Sequence, residues 1–179
     1  IAQLDPTIGD FEGNVKKIAD TLSISQQDHP DLVVFPELFL TGYPPRDLLE
    51  KSWFNEKTEK AIDEVIAISA RYPDAGILFG TPLPNRQGEG KSLFNSALLL
   101  YQGKIVIAQH KSLLPTYDVF DESRYFEPAW ETETVPFKNE VLGISICEDA
   151  WNAPGIWIKR NYPSDPIEEL SKKGATIFI

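Results

Sequence analysis

Three apolar, strand-like runs each end on a residue able to do chemistry. Leu32-Val33-Val34-Phe35 leads into Pro36-Glu37, Gly103-Lys104-Ile105-Val106-Ile107-Ala108 into Gln109-His110-Lys111, and Val141-Leu142-Gly143-Ile144-Ser145-Ile146 into Cys147-Glu148-Asp149. Short apolar runs bounded by turn-forming residues read as strands buried in a sheet. In α/β sheets ligands bind outside the carboxyl ends of the strands. The runs therefore constrain the chain to a fold that carries a carboxylate, an ammonium and a thiol at strand ends.

Between these runs the periodicity changes. Val15, Ile18, Ala19 and Leu22 recur at helical spacing within 13–27, and Ala61, Ile62, Val65, Ile66 and Ser69 mark one face of a helix over 57–72. Pro45 opens a short helix over 46–50, because proline is tolerated in a first helical turn. Ile1 to Leu4 and Gly76 to Gly80 read as further strands. Phe94 to Tyr101 and Ile105 to Ala108 form a hairpin closed at Gln102-Gly103. Residues 113–128 form a long irregular stretch, of the kind usually kept for function. Asp165-Pro166 starts a helix to Lys172 with Gly174 as its C-cap. Strands alternating with helices, together with a hairpin, predict an α/β fold with a mixed sheet. Strands apolar on both faces predict layers covering both sides. The chain starts without Met and ends on Ala175-Thr176-Ile177-Phe178-Ile179, so the expectation is a domain incomplete at its C-terminus, with this last run unpaired or at an exposed edge.

Composition excludes several functions. The 179 residues are 42% hydrophobic and 25% charged, which suits one soluble globular domain. The net charge of −10 repels phosphate backbones and argues against a nucleic-acid partner. No apolar run approaches the roughly 20 residues that span a bilayer, so no membrane is expected, and the first residues do not read as a signal peptide. A single cysteine cannot form an internal disulfide and fits a reducing, cytoplasmic compartment. Two histidines and one cysteine do not build an ordinary zinc site, so no metal is expected.

A lone cysteine is more often a small core hydrophobe than a nucleophile. Cys147, however, follows its strand instead of lying within it, and Glu148 and Asp149 are poor core neighbours. A sharp strand-to-helix turn there would expose the thiol and leave backbone N–H groups able to hold an oxyanion. Lys111 would favour a thiolate and stabilise a developing alkoxide. His110 is its rival, since Cys/His pairs are the commoner thiol arrangement. Neighbours on a strand point to opposite faces, and periodicity does not choose between the two. Glu37, enclosed by Phe35, Phe39 and Tyr43, would hold a proton to higher pH than an exposed carboxylate and so serve as base and acid. Glu122, in the long irregular stretch, is a weaker candidate for the same region, and its spacing from Lys111 does not fix its direction.

Phe35-Pro36-Glu37-Leu38, His110-Lys111-Ser112-Leu113-Leu114-Pro115 and Ile146-Cys147-Glu148-Asp149, in that order, resemble the Glu-Lys-Cys signature of the nitrilase superfamily, whose members hydrolyse amides and nitriles on an α-β-β-α sandwich. A narrower likeness lies in Leu4 to Asp10 with Gly13-Asn14, in the double-proline run from Pro36 to Leu49, in Lys111 to Phe126, and in Cys147-Glu148-Asp149-Ala150-Trp151. These resemble the glutaminase domains of the glutamine-dependent NAD synthetase family.

The resemblance implies Cys147 as nucleophile, Glu37 as general base and acid, Lys111 as oxyanion stabiliser, and Glu122 as the second glutamate that orients the site. A backbone N–H, that of Glu148, would complete the oxyanion hole. Tyr117 matches a glutamine-binding tyrosine. Tyr43, Phe120 and Trp151 match aromatic positions near the pocket, with ordinary core aromatics as the alternative. It further implies L-glutamine as substrate, no cofactor in residues 1–179, and a partnership with the chain's own C-terminal synthetase domain, which would use ATP and magnesium and is absent from these residues. Association into a homo-oligomer is a further expectation. The rivals are a free-standing amidase or carbamoylase of the same superfamily acting on a small amide, and a non-catalytic sandwich that binds partners through its faces.

Overall fold

The computed structural model describes residues 1–152 and 162–179. They divide into two compact units, Ile1–Leu83 with Asn95–Ala108, and Pro84–Phe94 with Gln109–Ile179.

The first unit is built on α1 (Phe11–Ser25) and α2 (Ser52–Ser69). Asp10 caps α1 by accepting from the Gly13 N–H at 3.0 Å. Phe11, Val15, Ile18 and Leu22 bury one stripe of α1, and Phe54, Ala61, Ile62, Val65 and Ile68 one stripe of α2. The Phe11 and Phe54 rings meet at 5.0 Å. Each such large side chain, once buried, stabilises by about 1.5–3 kcal/mol. Buried Asn14 donates to the carbonyls of Thr7 and Leu40 and ties α1 to the flanking loops. Arg46–Glu50 forms the expected short helix, as a 3-10 turn.

Four strands follow the order β1 (Leu32–Val34), β2 (Gly76–Pro84), β3 (Leu93–Tyr101), β4 (Lys104–His110). The first two residues of β3 and the last two of β4 belong to the second unit. β1 and β2 are parallel, with Val33 opposite Ile77. Gln102 and Gly103 close the expected hairpin at φ 51° and 74°, the backbone of a two-residue turn that matches strand twist. β2 and β3 are buried along nearly their whole length, as their apolar sequences predict. β4 departs from that expectation. Ile105 and Val106 are exposed, because β4 closes the sheet order and has no strand beyond it among the described residues. Ile1–Leu4 also departs, forming no strand ladder and holding to β1 through one bond from Ala2 N to the Val34 carbonyl, 2.8 Å.

The second unit contains a mixed sheet of order β5-β6-β7. β5 (Thr134–Phe137), which the sequence pattern does not suggest, pairs antiparallel with β6 (Glu140–Gly143) across a turn with Lys138 at φ 54°. The chain then crosses through α3 (Pro166–Lys172) to β7 (Ile177–Phe178), parallel to β6. Asp165 caps α3 by accepting from Glu168 N, and Pro166 occupies its first turn. A side chain at Gly143 would meet the Ala175 Cβ at 2.9 Å, so glycine lets this crossover pack onto β6. The terminal run is paired, which corrects one half of the expectation. Ile179 N donates to the Gly143 carbonyl and Ser145 N to that of Ile179. Its place at the sheet's edge is as expected.

Candidate active site

Glu37 belongs to the first unit. After β1 the chain turns through Pro36, with Leu38 at φ 49°, and lies so close to β2 that a Cβ on Gly80 would fall 2.1 Å from the Leu38 nitrogen and 2.7 Å from the Glu37 Cα. Glycine at 80 is therefore a condition for placing Glu37. Reciprocal bonds, Gly80 N to the Pro36 carbonyl and Leu40 N to the Gly80 carbonyl, fix the loop. Asn95, fully buried on β3, donates its Nδ2–H to Glu37 Oε1 at 2.7 Å. The Phe35 and Phe39 rings pack at 5.1 Å on either side of the Pro36-Glu37-Leu38 segment in sequence, and Tyr43 is half-buried further along the loop.

The second unit gathers the other candidates. Lys111 follows β4 and is fully buried, held by Glu122 through both carboxylate oxygens at 3.1 and 2.8 Å. Two ions in such a place survive because each neutralises the other. Glu122 sits at the start of a 3-10 turn, Glu122–Arg124, whose first residue it anchors by donating its N–H to the Pro115 carbonyl. His110, by contrast, stacks flat on Phe94 at 4.2 Å, and burial lowers its pKa below the usual histidine value. Of the two rivals, Lys111 is the one joined to a second carboxylate.

Cys147 opens a 3-10 turn, Cys147–Ala150, with its own φ at 46° and its thiol exposed. A left-handed backbone at a residue with a Cβ costs roughly 1–2 kcal/mol, and such strain persists only where the surroundings enforce it. The sharp turn after the strand is thus present. The reading of Glu148 and Asp149 as poor core neighbours is corrected, because both are buried and both are satisfied. Glu148 accepts from the Tyr117 hydroxyl at 2.7 Å and from the Tyr162 hydroxyl at 3.0 Å. The Tyr117 pKa is pushed up to about 12, first by that hydrogen bond, and its ring feels the charges of both Cys147 and Lys111. That shared influence places Cys147, Lys111 and Tyr117 in one neighbourhood. Tyr162 is also raised, by burial and by Glu148. Asp149 accepts the backbone N–H groups of Ser112, Leu113 and Ile146. Burial pushes its carboxyl up to about 6, against the pull of those donors and of Lys111. Phe120 meets Tyr117 edge-on at 5.8 Å, and Trp151 is half exposed, which is not the environment of a core aromatic.

Residues 1–159 match the family described as Carbon-nitrogen hydrolase. The chain belongs to the carbon-nitrogen hydrolase family. Among the relatives of this hydrolase, glutamine-dependent NAD(+) synthetase of Synechocystis sp. is 41% identical over 182 residues, covering 100% of this chain and 32% of that protein. The synthetase of the same name from Thermotoga maritima is 40% identical over 152 residues, with 85% of this chain and 25% of that protein covered. The hydrolase chain thus spans a quarter to a third of these relatives. Among solved structures, glutamine-dependent NAD+ synthetase from Acinetobacter baumannii, in complex with ADP, superposes with a TM-score of 0.83 at 28% identity over 99% of this chain and 30% of that one. A point mutant of the Nesterenkonia amidase from the nitrilase superfamily gives 0.79 at 19% identity over 98% and 61%, a likeness of fold alone. The expected α/β fold with mixed sheets is that of these neighbours.

Asn95 and Tyr162 escape a reading of the sequence. Asn95-Ser96 is a polar break inside the apolar stretch Leu93 to Leu100, and that break is the available signal. Among the described residues no group of three or more His, Cys, Asp or Glu side chains is placed to hold a metal, and no helix is long and apolar enough to cross a membrane.

Proposed function

We propose that this chain is the glutaminase part of a glutamine-dependent NAD synthetase, with Cys147, Lys111 and Glu37 as its catalytic residues. The observation that carries the chemistry is an exposed thiol on a strained turn in the same unit as a fully buried lysine. The names of the relatives supply the substrate. Glu37 takes the thiol proton and the sulfur attacks the side-chain amide carbon of glutamine. The Lys111 ammonium and the Glu148 backbone N–H stabilise the tetrahedral oxyanion. Glu37 returns its proton to nitrogen, the C–N bond breaks, and ammonia leaves a thioester on Cys147. Glu37 then takes a proton from water as the water oxygen attacks the thioester carbon; the C–S bond breaks, Glu37 returns the proton to the Cys147 sulfur, and glutamate leaves. Glu122 holds the Lys111 ammonium, while Tyr117, with Tyr43, Phe120 and Trp151, lines the glutamine site.

In this reading the ammonia amidates deamido-NAD in a C-terminal synthetase domain, where ATP and magnesium are used, and the protein works in the cytoplasm as a homo-oligomer. The test follows the nitrogen. In the full-length protein, amide-labelled glutamine should place its label in the nicotinamide carboxamide. Cys147→Ala should still make NAD from deamido-NAD and ATP with abundant ammonium, yet fail with glutamine. Label leaving only as free ammonia, with no NAD formed from either nitrogen source, would sink the synthetase reading and leave a free-standing amidase.

A further inference from the structure

The carboxylate of Asp149 joins two stretches of backbone that are far apart in sequence. Its Oδ1 accepts from Ser112 N at 3.0 Å and from Leu113 N at 2.8 Å, the two residues directly after Lys111. Its Oδ2 accepts from Ile146 N at 3.1 Å, the residue directly before Cys147. Its own N–H donates to the Ile146 carbonyl at 3.1 Å and closes the turn on which Cys147 sits. The side chain is 2% exposed.

Three donors on one buried carboxylate exceed what a turn needs. A hydrogen bond to Ile146 N alone would cap it. The other two reach to the exit of β4, where Lys111 leaves the sheet. The same group therefore enforces the left-handed Cys147 backbone and fixes the Lys111 backbone relative to it. Lys111 is held from the opposite side by its carbonyl, which accepts from Ala129 N at 2.8 Å.

We propose that Asp149 is a positioning residue for amide hydrolysis, a carboxylate clamp that sets the Cys147 turn and the Lys111 backbone in register. The inference rests on the catalytic roles given above to Cys147 and Lys111. It demands a carboxylate specifically. Asparagine can offer one oxygen to Ser112 and Leu113, but then turns an N–H toward the Ile146 N–H; flipped, it abandons the other two. Either way a buried donor loses its acceptor.

The experiment uses the full-length protein and measures kcat and KM for glutamine hydrolysis, normalised to the folded fraction read from circular dichroism and urea denaturation. Misplacement of reacting groups by about 1 Å can cost about 100-fold. Asp149→Asn should therefore lower kcat per folded molecule by about 10- to 100-fold while KM moves little, and Asp149→Ala should lower it further. A residue that merely supports folding would reduce the folded fraction and leave turnover per folded molecule unchanged, and that result overturns the proposal. If Asp149→Asn does not fold, Ser112→Pro removes one of the three donors and keeps the carboxylate. It should lower turnover per folded molecule by about 10-fold, and unchanged turnover overturns the proposal equally. Cys147→Ala separates the two levels. Residual hydrolysis there defeats the catalytic reading itself, whereas an inactive Cys147→Ala beside a fully active Asp149→Asn defeats the clamp alone.

Discussion

The Asn95 Nδ2–H points at Glu37 Oε1 across 2.7 Å from a strand position with no solvent exposure. An amide in the middle of an apolar strand is costly unless it is bonded, and here its bond ends on the carboxylate proposed as the base. A hydrogen bond to a charged group is worth about 1.5–3 kcal/mol. Removing the donor in Asn95→Ala leaves Glu37 Oε1 without the group that aims it, so kcat for glutamine hydrolysis should fall by about 10-fold while KM moves little. Asn95→Asp, which keeps the size but replaces the donor with an acceptor, should be worse than Asn95→Ala. Unchanged turnover in both variants would show that Asn95 serves packing only.

The Lys111–Glu122 pair makes a prediction about stability that is independent of chemistry. Removing one partner of a buried ion pair typically costs about 3–5 kcal/mol, because the other charge is left uncompensated, whereas apolar replacement of both is often nearly neutral. Lys111→Met and Glu122→Leu should each destabilise strongly in urea denaturation, and the double variant should be more stable than either. Additive losses would mean that the two charges do not depend on one another. Lys111→Met should also lose at least about 100-fold in turnover. His110→Ala should keep most of its activity, since His110 is stacked on Phe94.

What the sequence makes legible and what it hides divide along physical lines. Glu37, Lys111 and Cys147 stand out as candidates because each ends an apolar run, and the runs are what a sheet requires. β5 is hidden because Thr134-Val135-Pro136-Phe137 carries a proline and only two large apolar residues, and its strand character comes from pairing with β6. The apolar pattern carries β6 three residues too far, because Ile144 and Ile146 are buried beyond the end of its ladder. The burial of Glu148 and Asp149 is not legible at all. A carboxylate enters the interior only when particular donors await it, and apart from Ile146 N those donors lie on residues 112, 113, 117 and 162, remote in the chain.

Asp149 also predicts a pH dependence of stability. Its carboxyl is raised from 3.8 to about 6, first by burial, with Lys111 and three backbone N–H groups opposing. Between those values the folded protein binds more protons than the unfolded chain. The contribution of this group is therefore fully present below about 4 and lost as pH rises through about 6, a difference of at most about 3 kcal/mol. Asp149→Asn does not titrate. The melting temperature of the wild type relative to that of the variant should accordingly fall between pH 4 and 6 and level off above. A constant difference across this range would show that the carboxyl keeps its ordinary affinity for a proton.

Glu148 sets the last prediction, because its two oxygens are held by two different phenols. Oε2 accepts from Tyr117 and Oε1 from Tyr162, while the carboxylate itself is 3% exposed. A phenol that donates to a buried carboxylate cannot ionise without placing two negative charges together, which is the first cause of the raised Tyr117 pKa and, after burial, the second for Tyr162. The hydrogen bond to Glu148 holds the Tyr117 proton up to about pH 12, so whatever that bond adds to stability is present below about 10 and lost as pH rises through about 12. In ultraviolet titration of the full-length protein, Tyr117→Phe and Tyr162→Phe should each remove one tyrosine from the late-ionising class and none from the class near pH 10. Losing one charge-assisted donor from a buried carboxylate should also destabilise the fold by about 1.5–3 kcal/mol in each variant. The double variant should exceed the sum, since Glu148 would then have lost both phenols. If both variants instead subtract from the ordinary class and melt like wild type, the two phenols do not hold Glu148, and the ordering of the turn beside Cys147 rests on Asp149 alone.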